Sequence, residues 1–181
     1  MTVSLIVGVD TGITGAIAFL SPDGQLLAVE DMPVDRLQVG KGIRSRVNAH
    51  RLLALLRGAA GAAAFIEDPI FRPMIKRDPK TGITSTQNMG VAGAGAFGKA
   101  CGIAYCALVA SGCSIEEEVR PGVWDRAIGL KGGPDDARRM AQNRWPHMAA
   151  LFARVRDDGR ADASLIGVYG VQKLNRGRIA A

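Results

Sequence analysis

Apolar and polar positions change in short blocks along the first third of the chain. Residues 3–9, 15–20 and 25–31 are largely apolar runs of strand length, and Ser21-Pro22-Asp23-Gly24 between the last two is a turn signal. The pattern predicts a three-strand meander. Over 46–57 the spacing becomes helical, with Val47, Leu52, Leu55 and Leu56 apolar and Arg46, His50, Arg51 and Arg57 polar. Ala62-Ala63-Ala64-Phe65-Ile66 then reads as a buried strand that ends at Glu67. Strand, helix and strand in this order predict a parallel crossover.

Residues 68–87 read as irregular, because Pro69, Pro73, Pro79 and Gly82 interrupt every pattern. A long helix rich in small residues is expected over 88–111, and a fifth strand over Ser114–Val119. Pro121 can begin a helix. Gly132-Gly133-Pro134-Asp135 marks a loop and a further helix start, and that helical stretch ends near Trp145-Pro146. A last helix is expected from about Asp158 to Lys173. The sum is an α/β domain with a mixed sheet. No internal repeat or linker divides it.

Composition narrows the class. The chain has 181 residues, 48% hydrophobic, with a mean hydropathy of +0.10, which describes a globular protein with a real core. No apolar stretch reads as long enough for a membrane span, and the first residues carry no basic, cleavable leader. Cys101, Cys106 and Cys113 fit no zinc spacing and are an odd number. Buried thiols in a reducing compartment are expected. His50 and His147 are isolated and read as surface or satisfied side chains.

Charge adds direction. The net charge is +6, and the cations gather in Lys41–Arg57, Arg72–Lys80, Arg138–Arg160 and Lys173–Arg178. The carboxylates that interrupt this surface are Asp10, Glu67 and the group Asp157, Asp158 and Asp162. Basic surface around an acidic pocket suits a metal-dependent nuclease: phosphates need cations around them, and metal ions need carboxylates.

Asp10 ends the first strand beside Thr11-Gly12-Ile13-Thr14-Gly15, a turn without bulk next to the carboxylate except Ile13. That placement suits a divalent cation or a phosphate, although Asp before such a turn is also ordinary turn chemistry. Glu67 would lie beside Asp10 at the same sheet edge, or would simply be a polar strand end. Asp158 and Asp162 are four apart and share a helix face. Asp157 and Asp158 could also cap that helix. Asp162 lies among Ala161, Ala163, Leu165 and Ile166, where a carboxylate needs a partner.

Two pattern matches fail on context. Gly93-Ala94-Gly95-Ala96-Phe97-Gly98 satisfies G-x-G-x-x-G, and Gly93 through Lys99-Ala100 nearly satisfies the P-loop. Neither follows an expected strand, and Ala100 stands where a hydroxyl would bind magnesium. Small residues that let a helix pack closely on a sheet explain them better. Asp10–Gly15 also resembles the phosphate loop of actin-like sugar kinases, which need two such domains.

A wider resemblance absorbs these pieces. Gly8-Val9-Asp10-Thr11-Gly12 with Gly15–Ala18, Phe65-Ile66-Glu67, Phe97–Ala104, Val119–Trp124 and Asp158–Gly167 resemble, in order, RuvC-type Holliday-junction resolvases of the RNase H-like nuclease superfamily. The last stretch is most similar to the phage-type branch.

The resemblance implies one RNase H-like domain over 1–175 with a basic tail at 176–181. Its sheet would have five strands, an antiparallel meander followed by parallel crossovers, flanked by helices. It implies a homodimer in the cytoplasm of a bacterial or phage-infected cell that nicks branched DNA. Asp10, Glu67, Asp158 and Asp162 would hold two Mg²⁺ or Mn²⁺ ions about 4 Å apart, with no small-molecule cofactor. Asp158 would replace a ligand that cellular members place where Gly159 stands, with Asp157 left to helix capping or solvent.

Phe71 lies near the position of the family's junction-wedging aromatic. Arg72, Lys76, Arg77, Lys80, Lys99, Lys131 and Arg138 are the candidate phosphate contacts. Two alternatives remain: a related nuclease that processes ribosomal RNA, and a junction-binding protein without catalysis. A pure binder gains nothing from acids beside phosphates.

Overall fold

The structure, a computed structural model, describes residues 3–68, 74–78, 81–87, 90–133 and 135–179. Five strands form the main sheet: β1 (Ile6–Asp10), β2 (Ala16–Leu20), β3 (Leu26–Asp31), β6 (Ala63–Glu67) and β9 (Ser114–Val119). Their order is β3-β2-β1-β6-β9, antiparallel across the meander and parallel from β1 to β6 to β9. The expected architecture is present, and each expected strand lies within about a residue of its place except β1, which begins at Ile6.

Strand alternation sends alternate residues to opposite faces of the sheet. Val7, Val9, Ala64 and Ile66 pack under helices α1 (Ala49–Leu56) and α2 (Val91–Ala110), with Leu52, Leu56, Ala104 and Leu108. Ile6, Ala18, Leu20 and Phe65 pack on the other face under α5 (Asp158–Ile179), joined by Trp124 of α3 (Pro121–Ile128) and Ala141 of α4 (Asp136–Arg144). The two core layers lie one on each side of the sheet.

α5 reaches the sheet through residues without bulk. A Cβ on Gly8 would collide with the Ala163 carbonyl oxygen and lie 2.5 Å from the Gly167 nitrogen. A Cβ on Gly170 would lie 2.6 Å from the Phe65 ring. Backbone therefore sits on backbone, and α5 is drawn down across β1.

Several expectations need correction. Residues 42–47, expected in part as helix, form strand β5 (Gly42–Val47). It pairs with β4 (Val34–Val39) in a hairpin over Gly40-Lys41, where Gly40 takes a positive φ. α1 starts only after Asn48, whose side chain accepts a hydrogen bond from the Arg51 amide. The Val39-Gly40-Lys41-Gly42 turn was the missed signal.

Residues 74–77 (β7) and 84–87 (β8) also pair, because the prolines flank these runs and do not interrupt them. α5 continues to Ile179, so residues 176–179 extend the helix where a tail was expected. Cys101 and Cys113 are buried but Cys106 is exposed, and all three are free. By length and composition α2, 20 residues long with a mean hydropathy of 1.4 over its most apolar 18, could cross a membrane, contrary to the sequence reading. Here Ala100, Ala104 and Leu108 seat it on the sheet, and Val91, Tyr105 and Val109 stay exposed.

Candidate active site

β1 and β6 run parallel with Val9 opposite Ile66, so Asp10 and Glu67 follow side by side. By alternation both point to the face that α5 covers. Because α5 rides on Gly8, its first turns stand over these strand ends, and Asp162 joins them there. The electrostatics record the meeting. Burial, then the charge of Glu67, then that of Asp162 push the Asp10 carboxyl well above its usual range. Burial also raises Glu67, which shares a hydrogen bond with Asp10. Asp162 is pushed up to about 7 by burial and by the charges of Glu67, Asp158 and Asp125.

The surroundings favour rigidity. Trp124, buried, donates its indole N–H to Glu67 Oε1 at 3.1 Å. Glycines let backbone close tightly around Asp10: a Cβ on Gly159 would collide with the Thr14 carbonyl oxygen and lie 3.0 Å from Asp10 Oδ2, and one on Gly15 would collide with the Asp10 carbonyl oxygen. Gly12 turns the chain with φ +113°. The Thr11 hydroxyl next to Asp10 is buried without a hydrogen bond of ordinary geometry, although the Cys101 thiol faces it.

The other predicted residues separate. Asp158 opens α5 and is largely exposed, with Oδ1 held by Arg138 Nε at 2.7 Å. Asp157 is buried and accepts from the Arg154 amide at 2.8 Å and from its guanidinium. It ends a 3-10 turn just before α5 and closes that turn by accepting from Arg154, whereas it was expected to cap the last helix or to face solvent. Arg138 was expected to meet phosphate. Instead its side chain is buried between Asp135 and Asp158, with the Ala153 carbonyl at 3.3 Å, so its charge is spent internally.

Lys99 and Lys131 are exposed. Lys76 and Arg77 stand on β7, opposite Ser85 and Thr84. Phe71, Arg72 and Lys80 lie outside the described residues. Asp125 of α3, whose charge reaches Glu67 and Asp162, was not anticipated. Its spacing from Trp124, which binds Glu67, was the available signal.

Among the described residues, no three His, Cys, Asp or Glu side chains are already gathered at ion-holding distance. Yet the donor set fits a hard cation. Asp10, Glu67 and Asp162 form no ion pair with Lys or Arg among the described residues. They repel one another, and all their donors are oxygens, as Mg²⁺ or Mn²⁺ prefers.

The sign of the titration makes this testable. Folded Asp162 keeps its proton to about pH 7, whereas its ordinary value is 3.8. Its contribution to stability is thus complete below the unfolded value and is lost as pH rises toward 7. Asp10 and Glu67 shift in the same direction. Mg²⁺ should therefore raise the melting temperature more at about pH 8 than at about pH 5, relative to EDTA, because binding must displace protons at the lower pH. An equal rise at both would exclude these carboxyls as ligands.

A five-stranded mixed sheet between helix layers, with acids at the ends of its central parallel strands, is an RNase H-like fold. Two solved structures share it. Thermus thermophilus RuvC in complex with a Holliday junction substrate superposes with a TM-score of 0.56, at 17% identity over 96% of each chain. A further structure of Thermus thermophilus RuvC gives a TM-score of 0.51 at 16% identity, again over 96% of each chain. No protein-family model matches the sequence, and no curated protein matches it.

Proposed function

We propose that the chain is a metal-dependent endonuclease that resolves four-way or otherwise branched DNA by paired nicks. The observation that carries this reading is the convergence of Asp10, Glu67 and Asp162, without cationic partners among the described residues, on a RuvC-like fold. Asp10, Glu67 and Asp162 would hold Mg²⁺ or Mn²⁺, with Asp158 as the fourth ligand. Bound ions would supply a water activated for in-line attack and positive charge for the leaving oxygen.

The protein's own part is orientation. The strand ends hold two carboxylates rigidly, Trp124 fixes the rotamer of Glu67, and Gly15 and Gly159 let the β1–β2 turn and the start of α5 close tightly beside Asp10. Arg138 holds Asp158 at the start of α5 and orients it. Exposed Lys99 and Lys131, with Lys76 and Arg77 on β7, would neutralise phosphates nearby. The exposed apolar side of α2, with Val91, Tyr105 and Val109, supports a homodimer that presents two sites to opposite strands. A bacterial or phage-infected cytoplasm and the phage-type branch complete the proposal.

The test is a cleavage assay on a labelled four-way junction, a duplex and an RNA hairpin, with and without Mg²⁺. Mg²⁺-dependent paired nicks in the junction alone are expected. Preferred cutting of the hairpin would move the protein to RNA processing, and tight junction binding with no cutting would make it a binder.

The adjacent aspartates separate structure from chemistry. Asp158→Asn should slow single-turnover cleavage by orders of magnitude with little change in melting temperature. Asp157→Asn should lower the melting temperature, because it weakens the Arg154 contacts, and leave the cleavage rate near wild type. The reverse ranking would assign Asp157 to the ions.

A further inference from the structure

The β4–β5 hairpin takes no part in the site above. It forms a sheet of its own two strands, apart from the main one, and every residue from Arg36 to Arg44 is exposed. A lone two-stranded ribbon is marginal in water unless something holds it. Here the root is held twice. Val47 is buried, with Val34 packed beside it, in the core layer under α1 and α2. Asp35 accepts from Asn48 Nδ2 at 2.8 Å and lies 3.7 Å from Arg46 Nε, and the Asn48 amide donates to the Pro33 carbonyl at 2.8 Å.

Beyond the root the charge has one sign. Asp35 is the hairpin's only carboxylate, and Asn48 and Arg46 engage it at the root. Arg36, Lys41 and Arg44 follow with no acid among residues 36–45. None of the three has an ion pair among the described residues. Direct cross-strand partners share a face. Leu37 lies opposite Arg44 and Arg36 opposite Ser45, so each face carries a cation. The exposed apolar side chains are divided too, Leu37 and Val39 on one face and Ile43 on the other.

The root lies beside the catalytic turn. The Met32 amide, just before β4, donates to the carbonyl of Gly15 at 2.8 Å, and Gly15 precedes Ala16, the cross-strand partner of Asp10. A six-residue strand spans about 20 Å. The cations are therefore spread along about that length, starting near Asp10.

We propose that the β4–β5 ribbon docks on a duplex arm of the branched DNA, outward from the scissile phosphate, with Arg36, Lys41 and Arg44 on backbone phosphates. The inference rests on the nuclease reading above and adds to it a contact surface separate from the carboxylates and from the branch point. A duplex offers phosphates on two strands across a groove, and about 20 Å of ribbon matches about six base-pair steps. A two-stranded ribbon is also narrow enough to enter the major groove. A lipid surface fits less well, because it takes apolar side chains gathered on one face; here they are split between faces, and Lys41 stands at the tip. A second copy of the chain would bring like charges together.

The experiment measures binding of the full chain, without divalent metal, to four-way junctions whose arms are trimmed stepwise toward the branch. Arg36→Ala/Lys41→Ala/Arg44→Ala discharges the ribbon. Arg57→Ala/Arg156→Ala/Arg176→Ala removes the same charge from exposed arginines elsewhere. Anionic phospholipid vesicles serve as a second probe.

The ribbon variant, with a melting temperature near wild type, should bind the long-armed junction at least about tenfold more weakly at moderate salt, and its salt slope should fall by about two to three. Trimming the arms should weaken wild type but not the ribbon variant over the same lengths. The charge-matched control should stay closer to wild type on both counts. Wild-type affinity and salt slope in the ribbon variant, or an equal loss in the control, with Mg²⁺-dependent junction cutting intact, would overturn the ribbon's role and leave the nuclease reading standing. Ribbon-dependent binding to the vesicles with DNA affinity unchanged would overturn it in favour of a membrane surface. Arm-length-dependent binding through the ribbon without Mg²⁺-dependent cutting of any substrate would support the ribbon and remove the nuclease reading.

Discussion

Asp10→Asn should reduce junction cleavage by about two to three orders of magnitude or more, the scale on which loss of one preorganised electrostatic group acts. It should leave junction binding intact or tighter. The same substitution should raise the melting temperature of the metal-free protein at neutral pH. Asp10 shares a hydrogen bond with Glu67, and burial and the charges of Glu67 and Asp162 push its carboxyl well up. An amide of the same shape removes that repulsion and can still donate to Glu67. The joint result matters: a stabilised, DNA-binding, inactive protein is the signature of a functional site that works against folding. Near wild-type cleavage by Asp10→Asn, or by Glu67→Gln, would take that residue out of the site. A loss of stability together with activity would instead make Asp10 a structural residue of the turn.

Gly8→Ala should have the largest effect on folding. The new methyl group would overlap the Ala163 carbonyl oxygen and press on the Gly167 nitrogen, both backbone atoms of α5. Backbone cannot rotate aside as a side chain can, so the cost should exceed the usual 1–3 kcal/mol of overpacking, roughly, and much of the protein should fail to fold. The soluble remainder should be slow in cleavage, because lifting α5 from β1 separates Asp162 from Asp10. Gly177→Ala is the matched control. It also lies in α5, but a Cβ there meets nothing within 4 Å. It should leave stability unchanged or raise it by about 0.5–1 kcal/mol. Thermal melts of the two variants decide the point. Equal effects would show that α5 does not depend on close approach at Gly8.

Legibility differed between elements for physical reasons. β1, β2, β3 and β6 were readable because each is a short, largely apolar run bounded by turn residues, and such runs have few ways to be buried. Asp10 and Glu67 were readable as neighbours because parallel pairing with alternation leaves little choice at strand ends. The β4–β5 hairpin was hidden because its residues are mostly exposed and polar, so no burial pattern marks them. The β7–β8 pair was hidden because prolines on both sides obscured two short runs. Arg138 was misread for a related reason: a cation in a basic stretch looks free until Asp135, one turn away, and Asp158, from the start of α5, close on it.

The sequence by itself determined the sheet, its mixed direction, the two strand-end carboxylates and the placement of Asp162 on an apolar helix face. These follow from periodicity and local chemistry, which act over a few residues. Only the tertiary structure decided which acids meet, which are neutralised and where open space remains. Asp157 and Asp158 are adjacent in the chain, yet one is sealed by Arg154 and the other is held by Arg138 where its charge reaches Asp162. Asp125 entered the site's electrostatics through α3. An apolar cleft lined by Ile13, Val47, Phe97 and Ile103 exists because the β1–β2 turn, β5 and α2 meet without filling the space between them. Such outcomes depend on distances between residues far apart in sequence, and those distances are set by packing, here by α5 resting on Gly8.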